Sequence, residues 1–258
     1  MYKLFVCLLL YTNLMHSSTA YADNIYVAAA TSLTHVLEEI ASEFESETQH
    51  NVKLSFASSG NLAYQIIKGA PFELFLSADE TYISLLRKKQ LTDGVSHVYG
   101  IGYLVLYIPT GSNILPSGDM STLANSIQTG QLKRLAIANP EHAPYGLIAK
   151  EALENAHIWD SVMPYIVFGK SASQAAQFAL SRTVDATLIP YSLALLNELS
   201  NKGQFVLIND TLYKPLEQPM VLMKNASDAA KEFYHFIRGD KARNIFQQHG
   251  MIKIVQSD

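Results

Sequence analysis

Short apolar runs alternate with amphipathic stretches along most of this chain. Residues 24–30 (NIYVAAA) are almost continuously apolar, as expected for a strand covered on both faces. Residues 32–44 repeat their apolar positions at helical spacing instead. The predicted buried face of this helix consists of Leu33, Val36, Leu37, Ile40 and Phe44. A strand followed directly by a helix is the repeating unit of α/β proteins, so we predict mostly parallel sheets covered by helices.

The same alternation continues to the end of the chain. Further strands are predicted at residues 51–58, 72–78, 102–109, 134–140, 164–169, 185–196 (leading into a helix), 204–210 and 219–224. Further helices are predicted at residues 61–69, 79–91, 120–127, 145–156, 171–182 and 228–250, the last with a break near Gly239. The alternation of strands and helices stops and restarts once, which indicates two α/β units.

These units define two predicted lobes. We assign residues 23–104 and 214–258 to lobe I and residues 105–213 to lobe II. Two strands, near Gly102–Tyr107 and near Leu207–Met220, would cross between them. A cleft between two such lobes is a common place for a small-ligand site.

The first 22 residues have the features of a secretory signal peptide. Lys3 precedes an apolar run, and Ala20-Tyr21-Ala22 matches a cleavage site, so we predict export to the periplasm with cleavage after Ala22. A membrane anchor is the alternative, but the apolar run is short and is interrupted by polar residues. The only cysteine, Cys7, lies in this segment. The mature chain would therefore have neither disulfides nor thiolate metal sites.

Charge and motifs exclude several functional classes. Without Lys3 the chain keeps 18 basic residues against 23 acidic ones, a net charge of −5, with no basic stripe for nucleic acid. The signature motifs of hydrolases, zinc proteases and nucleotide-binding loops are missing. The eight histidines lack metal-ligand spacing. We therefore expect a monomeric protein that is not an enzyme and binds neither a cofactor nor a metal cation.

Candidate binding residues come from the beginnings of helices. The first turn of a helix has unpaired N–H groups and a partial positive charge, which acidic residues commonly neutralise. Three predicted helices have such acids at their beginnings: Asp79 and Glu80 in the first, Asp119 in the second and Asp228 in the third. Four others have no acid. Their first residues are Thr31-Ser32, Ser58-Ser59-Gly60, Pro144-Tyr145-Gly146 and Ser171-Ala172-Ser173.

Each acid-free start follows a predicted strand, and two belong to each lobe. They should therefore lie at the carboxyl edges of the sheets, where open α/β sheets bind ligands. Any one of them could be an ordinary serine or threonine cap. Together they favour an anion shared between the lobes. Because they offer donors and no carboxylate to accept a proton, the anion should be a fully deprotonated oxyanion.

Four blocks of the sequence resemble one known family. The blocks AAATSLTHVLEEIASEFE, LSFASSGNLAYQIIKGAPFELFLSADE, AIANPEHAPYGLIAKEAL and GKSASQAAQF resemble the periplasmic molybdate-binding proteins of ABC importers. The resemblance covers essentially the whole mature chain. It implies a two-lobed type II periplasmic binding fold that holds molybdate or tungstate in its cleft, with molybdenum present only within the oxyanion. It also implies delivery to an inner-membrane permease with its ATPase.

The resemblance also implies the contacts. Ser32 and Ser59 would each donate a hydroxyl and a backbone N–H, with Thr31 assisting, while Tyr145 and Ala172 would supply backbone N–H groups. Possible neighbouring contacts are Ser58, Ser171, Ser173 and Tyr191.

The sequence departs from the family pattern at two places. Where one branch of the family uses a tyrosine hydroxyl as a fifth contact, an ungapped match places Pro190, with Tyr191 one residue later. Glu73 replaces a usual aspartate, which we interpret as a packing change. Two other functions stay open: a receptor for sulfate or phosphate, and an exported serine hydrolase using Ser59.

Overall fold

A computed structural model describes residues 23–251 of the protein. The predicted signal peptide, residues 1–22, lies outside the described residues. Within residues 23–251, no helix is both long enough and apolar enough to cross a membrane.

The first sheet has five strands, four of which run in the same direction. Its strands are β1 (Asn24–Ala30), β2 (Asn51–Ala57), β3 (Leu74–Leu76), β4 (Thr92–Gly102) and β10 (Leu216–Met223). Their order is β2-β1-β3-β10-β4. β1 pairs in parallel with β2 and β3, whereas β10 is antiparallel to both of its neighbours.

The second sheet repeats this arrangement. Its strands are β5 (Leu104–Pro109), β6 (Leu135–Ala138), β7 (Ile166–Gly169), β8 (Ala186–Pro190) and β9 (Gly203–Leu207), in the order β7-β6-β8-β5-β9. β6 is parallel to β7 and β8, and β5 is antiparallel to β8 and β9. In each sheet the single antiparallel strand is the one that enters from the other sheet.

Helices account for most of the remaining chain. They are α1 (Thr34–Glu47), α2 (Ser59–Ile67), α3 (Glu80–Lys88), α4 (Ser121–Gln128), α5 (Pro144–Asn155), α6 (Trp159–Val162), α7 (Ala172–Leu180), α8 (Tyr191–Ala194), α9 (Asn197–Ser200), α10 (Asp228–Arg238) and α11 (Asp240–Gln248). A 3₁₀ turn, Thr31–Leu33, leads directly into α1, and a second one covers Met163–Tyr165. The break predicted near Gly239 is confirmed, because α10 and α11 meet there.

Two crossings connect the sheets. Tyr103 alone separates β4 from β5, and residues 208–215 separate β9 from β10. Leu104 already pairs with Pro190 in the second sheet. The exact lobe boundaries stay a prediction, but this pairing places the change of sheet at Tyr103, one residue before the end of predicted lobe I.

Helix α1 buries the apolar face that its sequence predicts. Val36, Leu37, Ile40 and Phe44 are all buried, and the ring of Phe44 packs 4.9 Å from that of Phe233 on α10. Helix α10 thus packs against α1 on the first sheet, although α1 lies almost 200 residues earlier in the chain.

Strand β4 was not predicted from the sequence. Its residues, TDGVSHVYGIG, include three glycines and several polar side chains, which are depleted in strands. It lies at the edge of the sheet and pairs with β10 over most of its length. Since its first half is largely exposed, it lacks the apolar run that identifies buried strands.

Removing the Phe233 ring should destabilise the protein strongly. This ring is fully buried, so we expect Phe233→Ala to lower the free energy of unfolding by about 3–5 kcal/mol, measured by urea denaturation. Leu85→Ala is the matched control, because Leu85 is 39% exposed and should cost about 0.5 kcal/mol. Equal losses in the two variants would contradict this packing.

Candidate functional site: a neutral cleft between four helix starts

The four acid-free helix starts meet around one small cavity. The cavity encloses about 210 Å³ of empty space, part of it open to solvent. The part enclosed by the protein is no larger than a few water molecules, so the site suits a small solute. The described lining residues are Ala30, Thr31, Ser32, Ser58, Ser59, Ala78, Ala143, Pro144, Tyr145 and Ala172.

Parallel pairing explains why these starts converge. β1 and β2 are adjacent and parallel, so their last residues, Ala30 and Ala57, lie side by side at one edge of the first sheet. β6 and β7 are related in the same way in the second sheet, ending at Ala138 and Gly169. The chain enters a 3₁₀ turn or helix shortly after each of these strands, so two helix starts from each sheet face the cleft.

The five principal residues predicted for the site are brought together. Thr31, Ser32, Ser59, Tyr145 and Ala172 all line the cavity. Of the four possible neighbours, Ser58 also lines it, whereas Ser171, Ser173 and Tyr191 are not among the described lining residues.

Two hydrogen bonds and one ring contact account for the other three side chains. Ser171 caps α7 by accepting from the Gln174 N–H at 3.3 Å, and Ser173 donates to the Thr31 carbonyl at 3.3 Å. The Tyr191 ring packs against Phe205, with 5.9 Å between centroids. Each side chain thus has a structural partner within the protein.

The cavity offers donors and no charge. None of its described lining residues carries a carboxylate, an ammonium, a guanidinium or an imidazole group. Ser32, Ser59, Tyr145 and Ala172 lie in first turns, where backbone N–H groups have no acceptor within the helix. Such N–H groups and the helix dipoles behind them favour a negative ligand.

Three serine hydroxyls supplement these N–H groups. Among residues 23–251, the buried hydroxyl oxygens of Ser32 and Ser58 have no hydrogen-bond partner. The Ser59 hydroxyl accepts from the Ala78 N–H at 2.9 Å, which leaves its own proton free to donate. A buried polar group without a partner is costly, so unpartnered hydroxyls beside a cavity are best explained by a ligand.

The acid-bearing helix starts behave differently. Asp79 accepts from the Thr81 N–H at 2.9 Å and thereby caps α3. Asp119 accepts from the Ser121 N–H at 3.0 Å at the beginning of α4. By contrast, the starts of α1, α2 and α5 have no side-chain cap. Three of the four first turns around the cavity therefore lack a side-chain cap, whereas Ser171 caps the fourth, α7, without adding a charge.

Direct hydrogen bonds hold the cleft closed. The Gly60 N–H on α2 donates to the His142 carbonyl at 3.0 Å, and the Ser192 hydroxyl on α8 donates to the Ser32 carbonyl at 3.0 Å. These bonds join elements of the first sheet to elements of the second. His142 therefore contributes its backbone, while its imidazole is about half exposed.

A buried tyrosine–glutamine pair lies behind the cavity and was missed in the sequence. Gln218 on β10 donates through Nε2 to the Tyr145 hydroxyl at 2.7 Å. Burial raises the pKa of Tyr145 well above its ordinary value, so the phenol keeps its proton. The sequence contained no signal for Gln218, since it lies 73 residues from Tyr145 in a strand of the other sheet.

Glu73 has a structural role. Its carboxylate accepts from the Tyr26 N–H at 2.9 Å and from the Ser227 N–H at 3.0 Å. It thereby ties β1 to the start of α10, away from the cavity.

The fold and its central cleft define a two-lobed solute-binding protein. The chain matches, over residues 25–252, the family described as bacterial extracellular solute-binding protein, and it belongs to that family. This membership confirms the prediction that the protein is a binding protein and not an enzyme.

Relatives and solved structures agree with this assignment. The chain is 31% identical to the molybdate-binding protein ModA of Rhodobacter capsulatus over 236 residues, 90% of each chain. It is 31% identical to ModA of Escherichia coli over 240 residues, 91% of each. The periplasmic molybdate-binding protein of Azotobacter vinelandii superimposes with a TM-score of 0.79 at 27% identity, covering 89% of this chain and 99% of that one. The resemblance and the fold class inferred from the four sequence blocks are confirmed.

Two adjacent serines should respond oppositely to alanine. Ser59→Ala leaves the buried Ala78 N–H without an acceptor, which should cost about 1–3 kcal/mol of unfolding free energy in the absence of anions. Ser58→Ala is the matched control, because it removes a buried hydroxyl that has no partner and should leave stability unchanged or slightly higher. Urea denaturation of both variants measures the difference, and equal destabilisation would contradict the assigned hydrogen bonds.

Proposed function

We propose that this protein is the substrate-binding component of an ABC importer that captures molybdate in the periplasm. The observation that carries the proposal is the uncharged cavity lined by donors from four helix starts, two from each sheet. The proposed ligand contacts are Thr31, Ser32, Ser59, Tyr145 and Ala172, with Ser58 as an additional donor. The identity of the ligand rests on the relatives, whose names specify molybdate.

Neutral donors bind an anion without a buried countercharge. The hydration that the anion loses must be replaced by dipoles aimed at it, which helix starts and hydroxyls provide. A protonated phosphate is disfavoured, because the described lining residues include no carboxylate to accept its proton. Tungstate has the same charge and tetrahedral shape as molybdate, so we propose that it binds as well.

In the proposed transport function, the bound anion acts by stabilising the closed arrangement of the two lobes. Donors from both sheets can reach the ligand together only when the cleft is closed, so the ligand stabilises the closed form. We propose that a membrane permease with a cytoplasmic ATPase recognises this form and receives the anion.

A receptor for another tetrahedral oxyanion is the second candidate. A solved structure of a sulfate-binding protein from Mycobacterium tuberculosis shares the fold, with a TM-score of 0.75 at 15% identity. At this identity the likeness concerns the fold alone. A serine hydrolase is disfavoured, because the described lining residues offer no imidazole or carboxylate to activate Ser59.

Calorimetric titration of the mature protein with molybdate, tungstate, sulfate and phosphate tests the proposal. We expect molybdate and tungstate to bind far more tightly than the other two anions, because cavity size discriminates among oxyanions of the same charge. Ready displacement of molybdate by low concentrations of sulfate would contradict the assignment.

Substitution of Ser32 tests the helix start directly. Ser32→Ala should weaken molybdate binding about ten- to a hundredfold, the value of a hydrogen bond to a charged group. Ser32→Asp should abolish binding by like-charge repulsion. Ser227→Asp is the matched control, since Ser227 caps α10 outside the cavity and aspartate can cap as well. If Ser32→Asp binds molybdate like the wild type, the site is elsewhere.

Molybdate affinity should be constant between about pH 6 and 9, where histidine and α-amino groups titrate. The only titratable side chain among the described lining residues is Tyr145, whose pKa burial raises. It therefore stays neutral across this range, and only its deprotonation at higher pH would add a repulsive charge. Titrations at several pH values measure this, and a steady loss of affinity from pH 6 to 9 would indicate a cationic site.

A further inference from the structure

Gln218 and Tyr145 form a buried contact between the two halves of the protein. Gln218 belongs to β10 in the first sheet and is fully buried, whereas Tyr145 belongs to α5, which packs on the second sheet. The amide Nε2 lies 2.7 Å from the phenol oxygen. The pair therefore forms only when these elements approach each other, as they do in the closed cleft.

The chain makes room for this pair with a glycine. Gly102 is the last residue of β4. A Cβ at this position would lie 2.2 Å from Gln218 Nε2 and 2.2 Å from the Tyr145 hydroxyl. Any side chain at position 102 would displace both groups, so the pair requires glycine there.

The hydrogen bond from Gln218 determines the direction in which the Tyr145 hydroxyl can donate its own proton. Because the phenol oxygen accepts from the amide, its own proton must be donated elsewhere. Tyr145 and Ser32 line the same small cavity, and the proximity of the Ser32 hydroxyl partly offsets the rise in the Tyr145 pKa that burial causes. Within residues 23–251 the Ser32 hydroxyl oxygen has no partner of good hydrogen-bond geometry, so it is available to accept.

We propose that Gln218 is a positioning residue for the anion site, acting through Tyr145 on Ser32. The amide donates to the phenol, the phenol donates to the Ser32 hydroxyl, and Ser32 is left to donate its proton to the anion. Hydrogen bonds in such a chain strengthen one another. This inference rests on the proposed function and adds to it a route by which closure orients a donor.

Stability alone does not favour glutamine at this position. The Gln218 Oε1 atom is buried and, within the described chain, has no hydrogen-bond partner. An unpaired buried amide oxygen destabilises the folded state. Replacing Gln218 by methionine, which has a similar size, should therefore leave stability unchanged or higher while weakening binding. A merely structural role predicts the opposite effect on stability.

A double-mutant cycle with molybdate as the probe tests the proposal. We expect Gln218→Met and Tyr145→Phe each to weaken molybdate binding about three- to tenfold, as for the loss of one hydrogen bond. The double variant should bind no more weakly than Tyr145→Phe alone, because Gln218 acts only through the phenol. Tyr107→Phe is the matched control: its buried hydroxyl donates to the Leu199 carbonyl at 2.9 Å, away from the cavity, so affinity should not change.

Three outcomes would overturn the proposal: unchanged affinity in Gln218→Met, unchanged affinity in Tyr145→Phe, or independent effects that add fully in the double variant. If Gln218→Met does not fold, Tyr145→Phe decides alone, since the proposed route passes through its hydroxyl. Failure of the wild-type protein to bind molybdate would instead reject the proposed function. The two failures are therefore distinguishable.

Discussion

Under the proposed function, the constraint on which this structure depends is to hold an anion in a closed cleft without a countercharge. Each oxygen of the anion gives up water, and only dipoles already aimed at the cavity can replace that hydration. The first turns of helices supply such dipoles, provided that no acid of the chain occupies them. The acid-free starts at Ser32, Ser59, Tyr145 and Ala172 meet this requirement.

The two sheets meet this requirement by repeating one topology. In each, two adjacent parallel strands end at the same edge and lead into helices whose first turns face the cleft. In each, one antiparallel strand enters from the other sheet, so two connections join the sheets. The small residues Ala30, Ala78, Ala143 and Ala172 keep bulky side chains out of the cavity, so that backbone N–H groups can face it.

The contacts that close the cleft use the same residues that face the anion. The carbonyls of Thr31 and Ser32 accept from serines of the second half, while their N–H and hydroxyl groups remain available to the cavity. Tyr145 similarly has its backbone at the cavity and its phenol on Gln218. Since one side of each residue serves closure and the other faces the cavity, an anion bound as proposed would stabilise the closed form, and closure would stabilise its binding.

Much of this could be predicted from the sequence, because it depends on local patterns. Apolar periodicity identified most of the strands and long helices, the acid-free starts identified the four helix beginnings around the cavity, and the family resemblance specified the five principal residues within them. Strand β4 was missed because an exposed edge strand needs no apolar run, and its pairing with β10 lies more than 100 residues away. Gln218, Ala78 and the Ser192–Ser32 bond were missed because only the approach of distant segments gives them a role. The sequence by itself thus determined which helix starts are free to hold a charge, a property of single turns. Only the tertiary structure decided that they share one cavity, since parallel pairing and lobe closure set the distances between them.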